Sequence, residues 1–291
     1  MYICKKKGRN IKMKEIILDT LLDALKLLPF LFLAFFIIEF IEHRLTKKSK
    51  NIITKSQKLG PVIGSILGSF PQCGFSVMAT NLYTTRIITL GTLIAVYLST
   101  SDEMLPILLS EKVDIKIIVH IILIKIALGM FYGLAIDFFF RQKENKEKYT
   151  ICEEEHCHCE NGIILSSIKH TLNTVLFIIL TSFIINVLFV YIGEDYLSKI
   201  LLKDSIISPF ITCLIGLIPN CGSSIILTEL YLNSAISFSS FIAGLLTGSG
   251  TALLILIKSN KNMKENIMII ALIYLLGAFS GVIINIIGKI L

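Results

Sequence analysis

Long apolar runs are the feature that most constrains how this chain can fold. Residues 115–140 read IKIIVHIILIKIALGMFYGLAIDFFF, and similar runs recur along the sequence. A helix needs about 20 such residues to cross the hydrocarbon core of a bilayer. Only 17% of the 291 residues are charged, which is low for a soluble domain. At about 20 residues per span, the sequence predicts an all-α polytopic membrane protein with about 8–10 transmembrane segments.

The basic residues lie beside the apolar runs and indicate what the chain contacts. The net charge is +7, and many of its Lys and Arg residues fall in two clusters, Lys5 to Lys14 and Arg44 to Lys58. Basic clusters next to a span suit anionic lipid headgroups. A nucleic-acid partner would need a basic patch on a folded domain. We therefore predict a multi-pass membrane protein that has the bilayer as a partner and does not bind nucleic acid.

The chain restarts after its middle, which predicts an internal repeat. At an offset of 148 residues, SFPQCGFS (69–76) aligns with LIPNCGSS (217–224), and near the start of each half FFIIE aligns with SFIIN at an offset of 147. We predict two homologous repeats of 4–5 helices. The predicted organisation is a basic tail at 1–15, a first repeat at 16–140, a polar loop at 141–162 and a second repeat at 163–291. Such repeats are typical of secondary transporters, whose substrate site lies between the halves near mid-membrane.

The repeated PxCG elements predict broken helices. Proline removes a backbone donor and glycine permits unusual backbone conformations, so each pair interrupts a helix. Such a break is tolerated in a membrane only where protein or a water-filled cavity satisfies the freed backbone groups. The predicted break residues are Pro71, Gly74, Pro219 and Gly222.

An amide and a thiol lie inside each predicted break. They are Gln72 and Cys73 in the first repeat, and Asn220 and Cys221 in the second. Thiolates bind soft metals, whereas amide and carbonyl oxygens bind hard ones. We predict that all four line the substrate pathway. The alternative is that the cysteines are small buried apolar residues.

Acidic residues in apolar sequence add a second set of candidates. TSDEMLP (100–106) places Asp102 and Glu103 at membrane depth, where carboxylates are costly and usually functional. Glu229 occurs in the second repeat, so the carboxylates predict an asymmetric cation site. The alternative for Asp102 and Glu103 is a helix end at the membrane surface. Further pathway candidates, each equally explained as an interface or packing residue, are Glu39, His43 and His120.

The polar loop contains a dense Cys/His tract, CEEEHCHCE (152–160). Thiol and imidazole groups in a short polar stretch can bind a soft or borderline divalent metal. We predict a metal-capture or sensing loop, with a solvated acidic linker as the alternative. The predicted ligands are Cys152, His156, Cys157, His158 and Cys159.

Taken together, these motifs resemble a known family of bacterial membrane proteins. The matching stretches are EFIEHR (39–44), GSFPQCGFS (68–76), STSDEMLP (99–106), CEEEHCHCE (152–160) and IPNCGSS (218–224). The chain resembles the ten-transmembrane heavy-metal exporter family, whose members are labelled arsenic efflux protein or manganese transporter. The likeness extends from about Leu21 to the end. It implies an exporter of a metal or metalloid in a bacterial inner membrane.

The expected function is secondary efflux of a heavy-metal species. The carboxylates favour a divalent cation such as manganese, which is the expected cargo; the alternative, favoured by the paired thiols, is an arsenite or organoarsenical efflux permease. A membrane-anchored metal-binding or sensing protein is the alternative from another class. The motifs GxxxxGK[ST], HExxH and GxSxG are absent, so we expect no ATP-driven step and no enzyme activity. We expect proton antiport by alternating access, with no cofactor besides the transported or loop-bound metal.

Overall fold

The computed structural model describes part of the chain. The described residues are 59–71, 73–101, 103–139, 163–192 and 207–290, together with most of 17–36. Their regular structure is helical, with no strand among them, which confirms the predicted all-α fold class for this part of the chain.

The helices fall into a first half before residue 140 and a second half after residue 162. The first half contains a helical segment within 17–36, followed by α1 (Gly60–Gly68), α2 (Gly74–Thr84), α3 (Leu90–Ser99), α4 (Met104–Ser110) and α5 (Ile115–Phe139). The second half contains α6 (Ile163–Ile192), α7 (Ser208–Gly216), α8 (Gly222–Leu232), α9 (Phe238–Thr247), α10 (Ala252–Ser259) and α11 (Met263–Ile290).

Corresponding helices begin at matching positions in the two halves. Five helices of the second half, α7 to α11, each start 148 residues after α1 to α5. The starts of α3 and α9 are capped alike, since Thr89 and Ser237 each accept a backbone N–H from three residues on. Buried residues in the segment 17–36 and in α6 share an offset of 147, as in Leu31 with Ile178 and Ala24 with Thr171. Constant offsets of helix starts and of buried positions are what an internal repeat predicts.

Small residues set the direction in which the first-half helices pack. A side chain at Gly133 would meet the backbone of Gly91, and one at Gly129 would meet that of Ala95. Residue numbers therefore rise along α3 while they fall along α5, so the two helices are antiparallel. Since α4 joins α5 through residues 111–114, the broken span α3–α4 runs along most of the length of α5.

The PxCG break reverses the chain instead of kinking a crossing helix. Gly60 lies beside Thr92 and Gly68 beside Ser99, so α1 is parallel to α3. Only residues 85–89 separate α2 from α3, so α2 returns the chain to the end where α1 began. An arm of nine residues is roughly 13 Å long, less than half of the membrane core. The pair α1–α2 is thus a re-entrant hairpin whose turn contains Pro71 and Cys73.

The second half is built in the same way. Gly216 lies beside Gly244 and Thr247, so α7 is parallel to α9, and residues 233–237 join α8 to α9. The pair α7–α8 is therefore a second hairpin, with Pro219 and Cys221 in its turn.

The described part of the chain has five helices long and apolar enough to cross a membrane. Two of them are the broken spans α3–α4 and α9–α10, whose apolar windows are 71% and 83% buried, against 33% for those of α5 and α11. The broken spans therefore form the centre of the molecule. The hairpin arms are too short to be counted as spans.

Corresponding loops of the two halves lie at opposite ends of the molecule. Arg86, in the loop 85–89, contacts Glu265 at the start of α11. Val113, at the far end of α3–α4, lines a cavity together with Ser234 of the loop 233–237. We call these two places the Arg86 end and the Ser234 end. The second half is therefore inverted relative to the first.

We predict that Gly133→Ala destabilises the protein. The added Cβ would lie 2.6 Å from the Gly91 carbonyl oxygen, 2.8 Å from Ala95 Cβ and 2.9 Å from Pro61 Cβ, and none of these atoms can move freely. Such overpacking costs about 1–3 kcal/mol. The midpoint of thermal unfolding in detergent should fall by several degrees. Gly288→Ala is the matched control, because nothing lies within 4 Å of its Cβ. Equal midpoints for the two variants would contradict this helix packing.

Candidate substrate site at the hairpin turns

The two hairpin turns meet through their cysteines. Cys73 Sγ lies 2.9 Å from Cys221 Sγ, although the residues are 148 apart in sequence. The two side chains are 8% and 5% exposed. Each cysteine directly precedes a returning arm, α2 or α8. The thiols that the sequence placed in the pathway thus form one buried pair between the halves.

The hairpin turns lie at the depth where the central spans break. Gly68 ends α1 beside Ser99, and Ser99 is the last residue of α3. Ser76, in the first turn of α2, donates its hydroxyl proton to the Cys73 carbonyl at 2.8 Å and lies 3.4 Å from the Ser249 carbonyl oxygen. The first hairpin therefore contacts the break between α9 and α10. Both kinds of helix break surround the thiol pair.

The break between α9 and α10 contains two buried hydroxyl groups. Ser249 Oγ and Thr251 Oγ1 are buried and make no hydrogen bond within the described residues. Between them Gly250 has a φ of 58°, a left-handed backbone conformation that favours glycine. A buried hydroxyl without a partner costs about 1–3 kcal/mol. A polar ligand in this break would remove that cost.

A fully buried lysine donates to backbone carbonyls near the breaks of both central spans. Lys125 Nζ donates to the Thr100 carbonyl at the α3–α4 break and to the Leu245 carbonyl of α9, at 3.1 Å for the latter. The C-terminal ends of helices carry partial negative charge, which an ammonium group neutralises. Ile273 stands 148 residues later, so the corresponding position of the second half carries no charge. Sequence reasoning did not assign Lys125 a role; its signal was a lysine within the apolar run 115–140.

The remaining candidates among the described residues differ in their position and burial. Asn220 is buried in the second turn, where its Oδ1 accepts the Gly222 N–H at 3.3 Å. Glu103 ends the α3–α4 break and is half-buried. Glu229 lies on α8, eight residues after Cys221, and is also half-buried. His120 is exposed on the surface of α5, away from the buried centre.

The described residues contain no group of three or more His, Cys, Asp or Glu side chains that could hold a metal ion. Within them, the thiol pair could supply two ligands. Further ligands would come from hydroxyls, backbone carbonyls or the bound species itself. The predicted candidates outside the described residues are Glu39, His43, Gln72, Asp102, Cys152, His156, Cys157, His158 and Cys159.

We predict that a mild oxidant such as diamide joins Cys73 to Cys221. A protease site inserted within 141–162 would let the two halves be cut apart, with Cys4, Cys152, Cys157 and Cys159 replaced by serine. After oxidation and cleavage, the halves should migrate together on a non-reducing gel and separate on reduction. Cys73→Ser should abolish the linkage and Cys213→Ser should preserve it, because Cys213 Sγ contacts the Ala243 carbonyl instead. Halves that separate without reduction would contradict the pairing.

Comparison with known proteins identifies one family. A family model described as "Putative, 10TM heavy-metal exporter" matches residues 12–195 and 177–290, together most of the chain. No curated protein and no solved structure matches the chain. With each hairpin arm and each broken span counted once, the described chain has five helical segments per half, ten in all, of which the four hairpin arms are too short to cross the membrane.

Proposed function

The chain belongs to the family of 10TM heavy-metal exporters, and on that premise we propose that it is a secondary transporter exporting a thiophilic metal or metalloid by alternating access. The observation that carries the proposal is the buried contact between Cys73 and Cys221. It supports a substrate site shared by the two halves. Trivalent arsenic species and soft metal cations have the chemistry to bind such a pair.

The position of the thiols suits binding of a soft centre. Each cysteine lies at a helix N-terminus, where partial positive charge stabilises a thiolate ligand. Two sulfurs bound tetrahedrally at about 2.3 Å would lie roughly 3.7 Å apart. The two sulfurs are already in contact here, so one soft centre could be bound by both halves at once after small side-chain rotations.

Manganese is the second candidate cargo. Its ion prefers oxygen ligands, and Glu103 lies half-buried at a break of a central span. Asp102 and Glu229 would complete a carboxylate site. Such an ion would not need the thiol pair as ligands, which is why we place a thiophilic species first.

An ion gradient would drive export. The chain has no GxxxxGK[ST] motif for ATP, and the intramembrane carboxylates suit proton exchange. We propose proton antiport through Asp102 or Glu103. In everted vesicles, an imposed proton gradient should then drive uptake of the cargo, and an uncoupler should stop it.

We predict that Cys73→Ser combined with Cys221→Ser abolishes resistance to the cargo. Cells lacking the protein would be complemented with each variant, and growth and metal content measured across arsenite and a panel of metals. The double variant should accumulate cargo as the deletion strain does. Cys213→Ser is the control, since this thiol is also buried but lies apart from the pair.

Two outcomes would overturn parts of this proposal. If the double serine variant retains full resistance while Asp102→Asn or Glu103→Gln loses manganese export, the cargo is manganese. If deletion changes neither growth nor content for any metal, the exporter assignment fails and a metal-sensing role becomes the better explanation.

A further inference from the structure

A charged cluster joins the two halves at the Arg86 end. Arg86 Nη1 lies 2.6 Å from Glu265 Oε1, and Nη2 lies 2.8 Å from Oε2. Tyr83 donates its hydroxyl proton to the same carboxylate, and the guanidinium lies 5.3 Å from the centre of the Tyr83 ring. The side chains of Arg86 and Glu265 are only 26% and 10% exposed. Two-point bonds between guanidinium and carboxylate are among the stronger polar contacts in proteins.

The Ser234 end has the same backbone turn without these charges. Arg86 has a φ of 59° and Ser234 a φ of 55°, and the two residues are 148 apart. The shape of the turn is thus shared by the halves, but arginine is present in only one of them. Glu265 corresponds likewise to Ile117, while Tyr83 corresponds to another tyrosine, Tyr231. The ring of Tyr231 stacks on Phe241 at 4.4 Å.

A cavity occupies the place where the charged cluster would have its counterpart. Its volume is about 320 Å³. The lining residues are Val113, Ile117, Tyr231, Leu232, Ser234 and Ile236. Three of these six, Ile117, Tyr231 and Ser234, are the counterparts of Glu265, Tyr83 and Arg86. At one end of the interface between the halves these positions form a charged cluster, and at the other end the corresponding positions line a cavity.

We propose that Tyr83, Arg86 and Glu265 form a latch that closes the transport pathway at the Arg86 end, and that the cavity at the Ser234 end is the open vestibule. The proposal rests on the transport function proposed above and names the gates of that site. When the vestibule closes, the latch opens. Because the Arg86 end has an ion pair between the halves and the corresponding positions, Ser234 and Ile117, carry no charge, the latched state is favoured without cargo. The inverted halves therefore differ in how firmly each end closes.

Paired cysteine reporters test the latch. Thr84→Cys and Leu232→Cys occupy corresponding positions 148 residues apart, beside the latch and in the vestibule. Their labelling by a hydrophilic maleimide would be measured in nanodiscs, which leave both faces accessible, with the modified peptide identified by mass spectrometry. In the native background Leu232→Cys should react faster than Thr84→Cys. Adding Glu265→Gln should shift the ratio of the two rates toward Thr84→Cys by roughly ten-fold, as expected for loss of a charged hydrogen-bonded pair.

Transfer of the charges to the other end provides the converse test. Ser234→Arg with Ile117→Glu places arginine and glutamate at the corresponding positions, and should slow labelling of Leu232→Cys with the native latch intact or removed. The midpoint of thermal unfolding shows whether each variant is folded. If Glu265→Gln does not fold, the variant with the transferred charges still tests the proposal. Rates that stay within two-fold in every folded variant would overturn the latch. Labelling that becomes equally faster at both reporters would also overturn the latch. It would mean that both ends loosen together, whereas the latch requires one end to open as the other closes.

These measurements need no cargo, so they separate the latch from the transport proposal. If the reporters exchange accessibility but no metal is exported, the latch stands and the proposed cargo fails. If metal is exported while accessibility at the two ends does not respond to Glu265→Gln or to the transferred charges, the transport proposal stands and the latch is wrong.

Discussion

Hydrogen bonding of the backbone inside the bilayer is the constraint on which the rest of this structure depends. A helix that ends at mid-membrane exposes backbone groups that lipid cannot satisfy, so its end must be covered by protein or line a polar cavity. Each half ends its hairpin arms and breaks its central span at this depth, and each covers the breaks of the other. The arm α2 packs on α10, and α8 packs on α4. The contact between Cys73 and Cys221 lies where these surfaces meet. The place that the fold must cover is thus also the place of the proposed cargo site.

Within this shared frame, the charged residues are distributed unequally. Lys125 in the first half corresponds to Ile273, and Arg86 corresponds to Ser234. Lys125 bonds to carbonyls of both central spans, and Arg86 bonds to a glutamate of the other half. Neither substitution changes the helix bounds, because the backbone framework is set by glycine contacts, caps and breaks. Charge can therefore vary between the halves and bias their relative arrangement without altering the fold.

The sequence predicted the chemistry of the centre better than its geometry. The fold class followed from the length of the apolar runs, and the offset of 148 indicated that Cys73 and Cys221 belong together. Proline and glycine predict that a helix ends but not where the chain goes next. The hairpin became evident only from Gly60 and Gly68 packing beside α3. The contact between Arg86 and Glu265 joins residues 179 apart, each of which looks in sequence like an ordinary charge at a helix end. His120 stood out as a polar residue in an apolar run, yet polarity alone does not reveal which side of a helix is exposed.

The proposed cargo site and the proposed latch are joined by a single rigid element. Cys73 immediately precedes α2 and Tyr83 lies near its end, so the eleven-residue helix spans the roughly 16 Å between thiol and latch. If a soft centre that enters from the vestibule shifts the first hairpin turn when it binds both sulfurs, that shift is transmitted along α2. Displacement of α2 moves Tyr83 and the loop carrying Arg86 relative to Glu265, because a short helix moves as one body. Part of the binding free energy at the thiols would thus break the contacts of Tyr83 and Arg86 with Glu265. In this way cargo that enters at the Ser234 end could open the Arg86 end.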